Sequence, residues 1–240
     1  MKVLSIGNSF SQDAQHYLYK IARASGVNLK TVNLYIGGCS LRTHYLNMLE
    51  DSAAYEFEFN GNRTGIKVSI SQALASDDWD VITLQQASHL SWNEKTYFPY
   101  ITALADYARK YCPNAKIAIH QTWAYEDGCE RLQVMTGQSS ALQMLQDLQK
   151  AYAKAAQAIG ADLIIPGGQA MYNATQFGME KIHRDCFHAS FGAGRYMLGL
   201  TWLKALTGKD ISQDRFTELD EEVTEEQREI LIKAVNAAFA

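Results

Sequence analysis

Serine, aspartate and histidine stand in this chain at spacings that suit acyl-transfer chemistry. Ser9 lies in the run Gly-Asn-Ser-Phe-Ser at residues 7–11, and Asp185 precedes His188 by three residues. A tight turn at that spacing lets the carboxylate hold one imidazole nitrogen while the other nitrogen faces a serine hydroxyl. Acyl transfer needs such a nucleophile, base and orienting carboxylate, together with hydrogen-bond donors for the oxyanion. Ser9, Asp185 and His188 are therefore candidate catalytic residues.

Donors that could bind an oxyanion follow two other apolar runs. Gly38 follows residues 31–36, and a glycine lets its backbone N–H approach a ligand without a side chain in the way. Gln85 and Gln86 follow residues 81–84, and their side-chain amides can donate hydrogen bonds. In the simpler interpretation, the glycine forms a turn and the glutamines satisfy backbone groups at a strand end.

One edge of a parallel sheet would bring these segments together. Short apolar runs alternate with longer stretches of helical period, which is typical of βαβ units and of a parallel sheet covered on both faces. The predicted strands are residues 3–6, 31–36, 81–84, 116–120 and 162–165. Because ligands bind beyond the carboxyl ends of such strands, the residues that follow each strand should line the site.

Helices and a small hairpin complete the predicted fold. The predicted helices are residues 13–24, 41–49, 96–111, 139–159, 191–206 and 225–239. Residues 55–59 and 66–70 alternate in polarity on either side of Asn60 and Gly61, which predicts an inserted β-hairpin. No repeat or linker divides the chain, so we expect a single domain over residues 1–240. The apolar stripe of the last helix could pack on its own domain or on a second subunit, which leaves the oligomeric state open.

The composition is that of a packed globular protein and excludes several classes of partner. The chain has 240 residues, of which 47% are hydrophobic and 20% charged, and its formal net charge is −4. No basic run would attract a phosphate backbone, so we expect no nucleic-acid partner. No apolar run is long enough to span a membrane, and the apolar start is too short for a signal peptide. We expect a cytoplasmic protein without a membrane partner, although a secreted or periplasmic protein that had lost its leader would look the same.

The four cysteines are widely separated and form no Cys-x-x-Cys pair; they are Cys39, Cys112, Cys129 and Cys186. This spacing excludes a zinc knuckle and a dithiol redox motif. We interpret all four as reduced thiols of a cytoplasmic protein. Cys39 and Cys186 adjoin the candidate site, where a redox role and an inert buried thiol are both open.

Together these residues resemble the SGNH hydrolases, also called GDSL hydrolases, a family of serine esterases and lipases. Gly-Asn-Ser at residues 7–9 matches the first family motif, with asparagine where most members carry aspartate. Gly38 matches the second motif, and the pair Asp185 and His188 matches the last. The resemblance covers residues 3–190 in the family's order. It implies a flavodoxin-like three-layer α/β/α sandwich with a central five-stranded parallel sheet.

The third family motif is where this sequence departs from the pattern. Most members have Gly-x-Asn-Asp after the third strand, whereas this chain has Leu-Gln-Gln-Ala-Ser at residues 84–88. A glutamine amide could replace the asparagine as an oxyanion donor, and we favour Gln86 over Gln85 for that role.

The resemblance also implies a mechanism that needs no cofactor. Ser9 would attack an ester carbonyl, and His188 would take its proton and later protonate the leaving alcohol. Asp185 would hold the imidazole tautomer. The backbone N–H groups of Ser9 and Gly38, together with the Gln86 amide, would bind the oxyanion.

Aromatic residues after the third and fourth predicted strands bear on the substrate. Trp92, Trp123 and Tyr125 could form a wall for a sugar ring or an acyl chain, with Gln85 as a further substrate contact. Packing beneath the loops is the alternative for the aromatic residues. We predict a small-molecule or carbohydrate ester as substrate, and we favour an O-acetyl sugar.

Other functions are compatible with the same residues. Ser9 could cap a helix, although we assign that capping role to Ser11. The protein could be a catalytically inactive carbohydrate-binding protein on the same fold. His183, Asp185 and His188 could instead hold a metal for hydrolysis, since imidazole and carboxylate suit zinc or iron, although no fourth ligand follows from the spacing and we assign no metal.

Overall fold

The apolar runs of the sequence form strands of one β-sheet. The structure, a computed structural model, describes residues 1–240 throughout. The strands are β1 (Lys2–Gly7), β2 (Lys30–Tyr35), β3 (Tyr55–Phe59), β4 (Asn62–Val68), β5 (Val81–Leu84), β6 (Lys116–His120) and β7 (Leu163–Ile165), in the order β4-β3-β2-β1-β5-β6-β7. Every residue of β5 is buried, as expected for a central strand with helices on both faces.

The sheet is mixed and has seven strands. Strands β2, β1, β5, β6 and β7 run parallel. Strand β3 pairs antiparallel with β2, where Leu34 lies opposite Phe57, and β4 pairs antiparallel with β3. The sequence predicted five parallel strands with an inserted hairpin, and this is corrected because the hairpin extends the sheet itself. Tyr55 is fully buried and anchors β3 in the core, which leaves the exposed β4 as the edge strand.

Ten helices cover the sheet. They are α1 (Ser9–Gln15), α2 (Leu18–Ala24), α3 (Leu41–Leu49), α4 (Ile70–Leu74), α5 (Tyr100–Tyr111), α6 (Glu130–Thr136), α7 (Ala141–Ile159), α8 (Gly167–Gln176), α9 (Ala193–Thr207) and α10 (Glu225–Ala237). Helix α9 packs against α1, α2, α8 and α10, and α5 packs against α3, α4 and α7. The α/β class is therefore as predicted, with a helical layer on each side of the sheet.

The hydrophobic core is continuous from Val3 to Val235. Residues 193–203 of α9 are all buried, so this helix lies inside the protein rather than on its surface. Helix α10 packs on α8 and α9, and its residues Leu231 and Val235 are fully buried. The last helix therefore covers its own chain, which was one of the two possibilities left open by the sequence. No helix combines the length and the apolar character that crossing a bilayer requires.

The segment after β1 folds differently from the prediction of one helix over 13–24. Helix α1 begins earlier, at Ser9, and a second helix, α2, follows it. Asn8 is the N-cap, because its side-chain oxygen accepts the Phe10 backbone N–H at 2.9 Å. Ser11 lies inside the helix, where its hydroxyl accepts the Asn8 backbone N–H at 3.0 Å and completes a capping box. The assignment of Ser11 as the N-cap was therefore wrong.

Two glycines after β7 form the first turn of a helix, where the sequence predicted only a break after the strand. The sequence marked Pro-Gly-Gly at residues 166–168 only as a break after the last strand, whereas Gly167 and Gly168 open α8. A Cβ on Gly167 would lie 2.9 Å from the Gln121 carbonyl oxygen, and one on Gly168 would lie even closer to the Thr122 carbonyl oxygen. Glycine is therefore required here because the helix packs directly against backbone.

Two of the four cysteines are paired. Cys129 and Cys186 form a disulfide with a Cα–Cα distance of 6.1 Å, whereas Cys39 and Cys112 are free and buried. The expectation of four reduced thiols is therefore wrong for Cys129 and Cys186, which lie 57 residues apart and meet only through the fold. The cysteines no longer support the expectation of a reducing, cytoplasmic setting.

Two histidines are buried in the core with little to compensate a charge. His44 is bonded through Nδ1 to the Tyr55 hydroxyl at 2.9 Å, and His120 through Nδ1 to the Gln85 side-chain oxygen at 2.7 Å. Burial lowers the pKa of each histidine to about 3. Both imidazoles are therefore neutral in the folded protein, while an unfolded histidine takes up a proton below a pH of about 6.5.

The buried histidines predict a loss of stability on mild acidification. Because their pKa is depressed by folding, their contribution is present above about pH 6.5 and is lost progressively as the pH falls toward 3. Replacing His44 with Gln should reduce the difference in unfolding free energy between pH 7 and pH 5 by about 2 kcal/mol. Urea unfolding of the wild type and His44→Gln at both pH values measures this; equal differences in the two proteins would contradict it.

Candidate active site

Ser9 occupies the first turn of α1, immediately beyond the carboxyl end of β1. The preceding Asn8 fixes the turn, because its side-chain amide donates to the Cys39 carbonyl at 3.0 Å and its side-chain oxygen accepts from Gln85 at 2.7 Å. A Cβ on Gly7 would collide with the Ser11 side chain and lie 2.9 Å from the Asn33 side-chain oxygen, so the strand can turn into the helix only at a glycine. The position of the serine is thus set by its neighbours on three elements.

A tight loop at residues 183–189 carries the other two candidate catalytic residues. An antiparallel bridge between His183 and Ala189 closes the loop, and the Arg184 N–H donates to the His188 carbonyl at 3.0 Å. At the tip, Cys186 adopts a left-handed conformation with φ of 65°. One carboxylate oxygen of Asp185 accepts the His188 backbone N–H at 2.8 Å. The three-residue spacing therefore forms the turn that the sequence predicted.

The side chains of Ser9, His188 and Asp185 form one hydrogen-bonded chain. The Ser9 Oγ lies 2.9 Å from His188 Nε2, and His188 Nδ1 lies 2.8 Å from Asp185 Oδ2. Partial burial opposes ionisation of Asp185, but hydrogen bonds from the His188 side chain and backbone outweigh it and lower the pKa of the carboxyl group. An ionised Asp185 accepts a hydrogen bond from the Nδ1–H group, so Nε2 is the nitrogen free to accept the serine proton.

A buried ion-pair cluster holds the loop against α1. Asp13 is fully buried, and its carboxylate accepts from the Arg184 guanidinium at 2.8 Å and from Arg195 Nε at 2.9 Å. The same carboxylate accepts the Ala189 backbone N–H at 3.2 Å. The sequence analysis missed this cluster, because the predicted helix began at Asp13, where an acidic residue is expected to be exposed; only the earlier start of α1 at Ser9 places Asp13 inside a helix.

A pocket of about 240 Å³ opens beside the serine. It is lined by Asn8, Ser9, Phe10, Tyr35, Gly37, Gly38, Ser88, His89, Arg131, Phe187 and His188. The backbone N–H groups of Ser9 and Gly38 have no acceptor in the protein, and Gly38 has a φ of 64°, where glycine is favoured. Two residues with uncommitted backbone donors therefore line the pocket that contains the serine hydroxyl.

The glutamine pair does not contribute to that wall. Gln86 is fully buried, and its amide nitrogen donates to the carbonyl and the hydroxyl of Thr96, each at 3.0 Å. Its oxygen accepts from the backbone N–H groups of Leu41 and Ala87. Because both ends of the amide are committed, the assignment of Gln86 to the oxyanion hole is corrected: the residue braces the strand end, which was the alternative interpretation.

Gln85 is likewise structural in its contacts. Its amide nitrogen donates to the Asn8 side chain at 2.7 Å, and its oxygen is bonded to His120 at 2.7 Å. Only 1% of the residue is exposed, so it does not reach a substrate. The expectation of a substrate contact at Gln85 is therefore wrong.

The predicted aromatic wall is also corrected. Trp123 and Tyr125 are fully buried; Trp123 stacks on Phe10 with ring centroids 4.2 Å apart, and the Tyr125 hydroxyl is bonded to the Ser88 hydroxyl at 2.9 Å. Trp92 donates its indole N–H to a neighbouring carbonyl and does not line the pocket either. These aromatic side chains pack beneath the loops, as the alternative interpretation held.

The pocket instead uses aromatic and polar residues that the sequence analysis did not single out. They are Phe10, Tyr35, Ser88, His89, Arg131 and Phe187. Tyr35 and Ser88 could have been found, because each stands at or just beyond the carboxyl end of a strand. Arg131 lies on α6, a helix that the sequence pattern did not predict, so nothing in the sequence placed it near the serine.

The alternative metal set does not converge in space. His183 Nε2 donates to the Ala124 carbonyl at 3.2 Å, while the two ring nitrogens of His188 face Ser9 and Asp185. No group of three or more histidine, cysteine, aspartate or glutamate side chains in the structure is arranged to hold a metal ion. The hypothesis of a metal site formed by His183, Asp185 and His188 is therefore wrong.

The architecture places the protein among the proteins with the SGNH hydrolase fold. A protein from Slackia heliotrinireducens, named as an SGNH hydrolase candidate, superposes with a TM-score of 0.62 at 23% identity, over 86% of this chain and 98% of that one. Axe2, an acetylxylan esterase from Geobacillus stearothermophilus, superposes with a TM-score of 0.55 at 14% identity, over 86% and 94% of the two chains. At these identities the likeness shows the fold.

The chain belongs to the family described as Domain of unknown function (DUF4886), whose model matches residues 2–239. A DUF4886 family protein from Bacteroides uniformis has 32% sequence identity and a TM-score of 0.93, over 100% of this chain and 94% of that one. No curated protein matches the chain.

The Asp13 cluster predicts a large stability effect for a conservative substitution. Asp13→Asn would leave the guanidinium groups of Arg184 and Arg195 without their carboxylate in a mostly buried setting, which typically costs about 3–5 kcal/mol. Asp106→Asn is the control, because Asp106 is 71% exposed and pairs with Arg109 only one helical turn away, a contact worth less than about 1 kcal/mol. Urea unfolding at pH 7 compares the variants, and similar losses in both would contradict a special role for Asp13.

Proposed function

We propose that the protein is a serine esterase that acts through Ser9, His188 and Asp185. The observation that supports this best is the continuous hydrogen-bonded chain from the serine hydroxyl to the carboxylate, at 2.9 and 2.8 Å. The hydroxyl lines an open pocket together with two uncommitted backbone donors, which supplies the remaining requirement of acyl transfer. A merely structural serine at a helix start would need neither the imidazole nor the pocket.

The proposed reaction has two halves. The Ser9 oxygen forms a bond to the ester carbonyl carbon while its proton passes to His188 Nε2, and the carbonyl electrons move onto the oxyanion. Collapse of this intermediate breaks the bond to the leaving alcohol, which takes the proton from His188 and leaves an acyl group on Ser9. Water then attacks the acyl carbon as His188 accepts its proton, and the return of that proton to Ser9 releases the acid. Asp185 orients the imidazole and stabilises its positive charge.

The oxyanion would be bound by the backbone N–H groups of Ser9 and Gly38, with Ser88 as a third donor in place of Gln86. Ser88 is 7% exposed and lines the pocket, and its hydroxyl is hydrogen-bonded to the Tyr125 hydroxyl at 2.9 Å. Tyr125 can donate that hydrogen bond, which leaves the Ser88 proton available to the pocket. In this proposal the Ser88 hydroxyl takes the place of the asparagine that most SGNH hydrolases carry after the third strand.

The proposed substrate is a small or carbohydrate-borne ester with a short acyl group, such as an O-acetyl sugar. A pocket of about 240 Å³ is small for a long acyl chain. Phe10, Tyr35 and Phe187 give it an aromatic lining that suits the apolar face of a sugar ring. The fold likeness to an acetylxylan esterase is consistent with this choice.

Replacement of the nucleophile tests the proposal directly. The wild type should hydrolyse p-nitrophenyl acetate, and Ser9→Ala should lower kcat at least about a thousandfold. A fluorophosphonate probe should label Ser9, as located by peptide mass spectrometry, because its phosphorus is attacked by an activated serine with loss of fluoride. Ser212→Ala, at an exposed serine that does not line the pocket, should retain both activity and labelling.

The outcome separates the proposal from its alternative. A correctly folded protein that neither turns over the ester nor reacts with the probe, but binds acetylated oligosaccharides in calorimetry, would show a carbohydrate-binding protein and contradict the esterase. Ser9-independent turnover in protein of checked purity would contradict the assigned nucleophile.

The two candidate third donors make different predictions. Ser88→Ala should lower kcat about a hundredfold, because an oxyanion donor acts mainly in the transition state, and it should also cost some stability because the buried Tyr125 hydroxyl loses its partner. Gln86→Ala should mainly lower the melting temperature, since it leaves the backbone N–H groups of Leu41 and Ala87 without an acceptor. Kinetics and thermal melts of both variants measure this, and a wild-type kcat in Ser88→Ala would remove Ser88 from the oxyanion hole.

A further inference from the structure

Arg131 brings an unpaired positive charge to the pocket that contains Ser9. Its guanidinium carbon lies 4.0 Å from the centroid of the Phe187 ring and 6.0 Å from that of Tyr125. No carboxylate lies within ion-pair distance of it, in contrast to Arg184 and Arg195, which share the Asp13 carboxylate. Contact with an aromatic face orients a guanidinium without using its hydrogen-bond donors. The donors of Arg131 are therefore available to a ligand.

No negatively charged residue lines the pocket to compensate the charge of Arg131. Among the residues that line it there is no aspartate or glutamate. The carboxylate of Asp185 stands behind the imidazole, where it is engaged by His188. Burial and the positive charge of Arg131 lower the pKa of His89, which shares the pocket, so that imidazole is neutral at pH 7. The pocket thus carries a positive charge within a chain whose formal net charge is −4.

Arg131 is tied to the catalytic loop rather than carried on a free segment. The disulfide from Cys129 joins the start of α6 to Cys186, next to Asp185, and the Cys186 carbonyl accepts the Glu126 N–H at 2.8 Å. Phe187 contacts both groups, with its ring centroid 4.0 Å from the Arg131 guanidinium carbon and 4.0 Å from the His188 centroid. The cation therefore has a defined place one aromatic ring away from the proposed general base.

We infer that Arg131 is a specificity-determining residue that selects esters bearing a carboxylate close to the scissile bond. A planar guanidinium with free donors matches a carboxylate in a bidentate pair. The carboxylate could belong to the alcohol, as in an O-acetylated uronic acid, or to the acyl group, as in a hemiester of a dicarboxylic acid. This inference rests on the proposed esterase activity of the same site and adds the charge of its substrate.

Matched ester pairs test the inference and distinguish the two positions of the charge. Acetoxybenzoate, with its carboxylate para to the ester, is compared with its neutral methyl ester for an acid on the alcohol side. Mono-p-nitrophenyl succinate is compared with its neutral methyl ester for an acid on the acyl side. The wild type should prefer the anionic member of at least one pair by about tenfold or more in kcat/KM, as expected for a charge-assisted hydrogen bond.

Variants of the arginine connect the preference to its charge. Arg131→Gln should lower kcat/KM for the anionic ester about tenfold more than for its neutral partner and so abolish the preference, and Arg131→Lys should keep part of it. Arg42→Gln is the matched control, because Arg42 is exposed, forms no ion pair and does not line the pocket. Because the charges are exposed to solvent, added salt should also weaken the wild-type preference.

The results separate failure of the inference from failure of the proposed function. Ser9-dependent turnover of p-nitrophenyl acetate with no charge preference in either pair, or with a preference that Arg131→Gln retains, would overturn the inference alone. If no ester is hydrolysed, the esterase proposal fails, and calorimetry decides the inference separately. Glucuronate should then bind the wild type more tightly than methyl glucuronate does, and equal binding, or the same difference in Arg131→Gln, would overturn it.

Discussion

The buried carboxylate of Asp13 is the interaction on which the geometry of the candidate site depends. It is fully buried on the helix that begins at Ser9, and it binds Arg184 in the loop at residues 183–189 and Arg195 at the start of α9. A buried charge is costly unless it is paired, so moving the loop away from the helix would leave the Asp13 carboxylate without its partners. The Ser9 hydroxyl and the His188 imidazole, which are 179 residues apart in the chain, are thereby held 2.9 Å from each other.

The side-chain amides of Gln85 and Gln86, at the end of β5, are buried beneath the site and do not line the pocket. Gln85 links the cap residue Asn8 to the buried His120, and Gln86 links α3 to Thr96. Because both glutamines are interior, they leave the pocket to other donors, which include the backbone N–H groups of Ser9 and Gly38. Backbone donors on a rigid turn lose no side-chain entropy when they bind, which is an advantage for a group that must stabilise transient charge.

The same loop that carries the proposed acid–base residues also determines the electrostatics of the pocket. Phe187 lies between the imidazole and Arg131, and the disulfide to Cys186 joins the two segments covalently. A guanidinium is weakly hydrated, and one that lies on an aromatic face with no carboxylate beside it keeps its donors free to bind a negatively charged ligand. Chemistry at Ser9 on α1 and selection by charge at Arg131 on α6 would then both depend on the loop at residues 183–189, which contacts the two helices.

The sequence determined most strand positions and the local turn from Asp185 to His188, whereas the second hairpin strand, predicted at 66–70, lies at 62–68, and residue 70 starts α4. The strands at 81–84 and 116–120 and the helix at 41–49 have the predicted bounds, because hydrophobic periodicity and capping residues act over a few positions. The turn from Asp185 to His188 is local in the same sense. Only the tertiary structure decided which side chains face the pocket. Gln86 is buried, with hydrogen bonds to both its amide nitrogen and its amide oxygen, and Arg131 reaches the pocket from α6, a helix that the sequence did not predict. Such contacts join residues far apart in the chain, and a single sequence carries no periodic signal for them, because they arise only when separate elements pack and their polar groups must find partners.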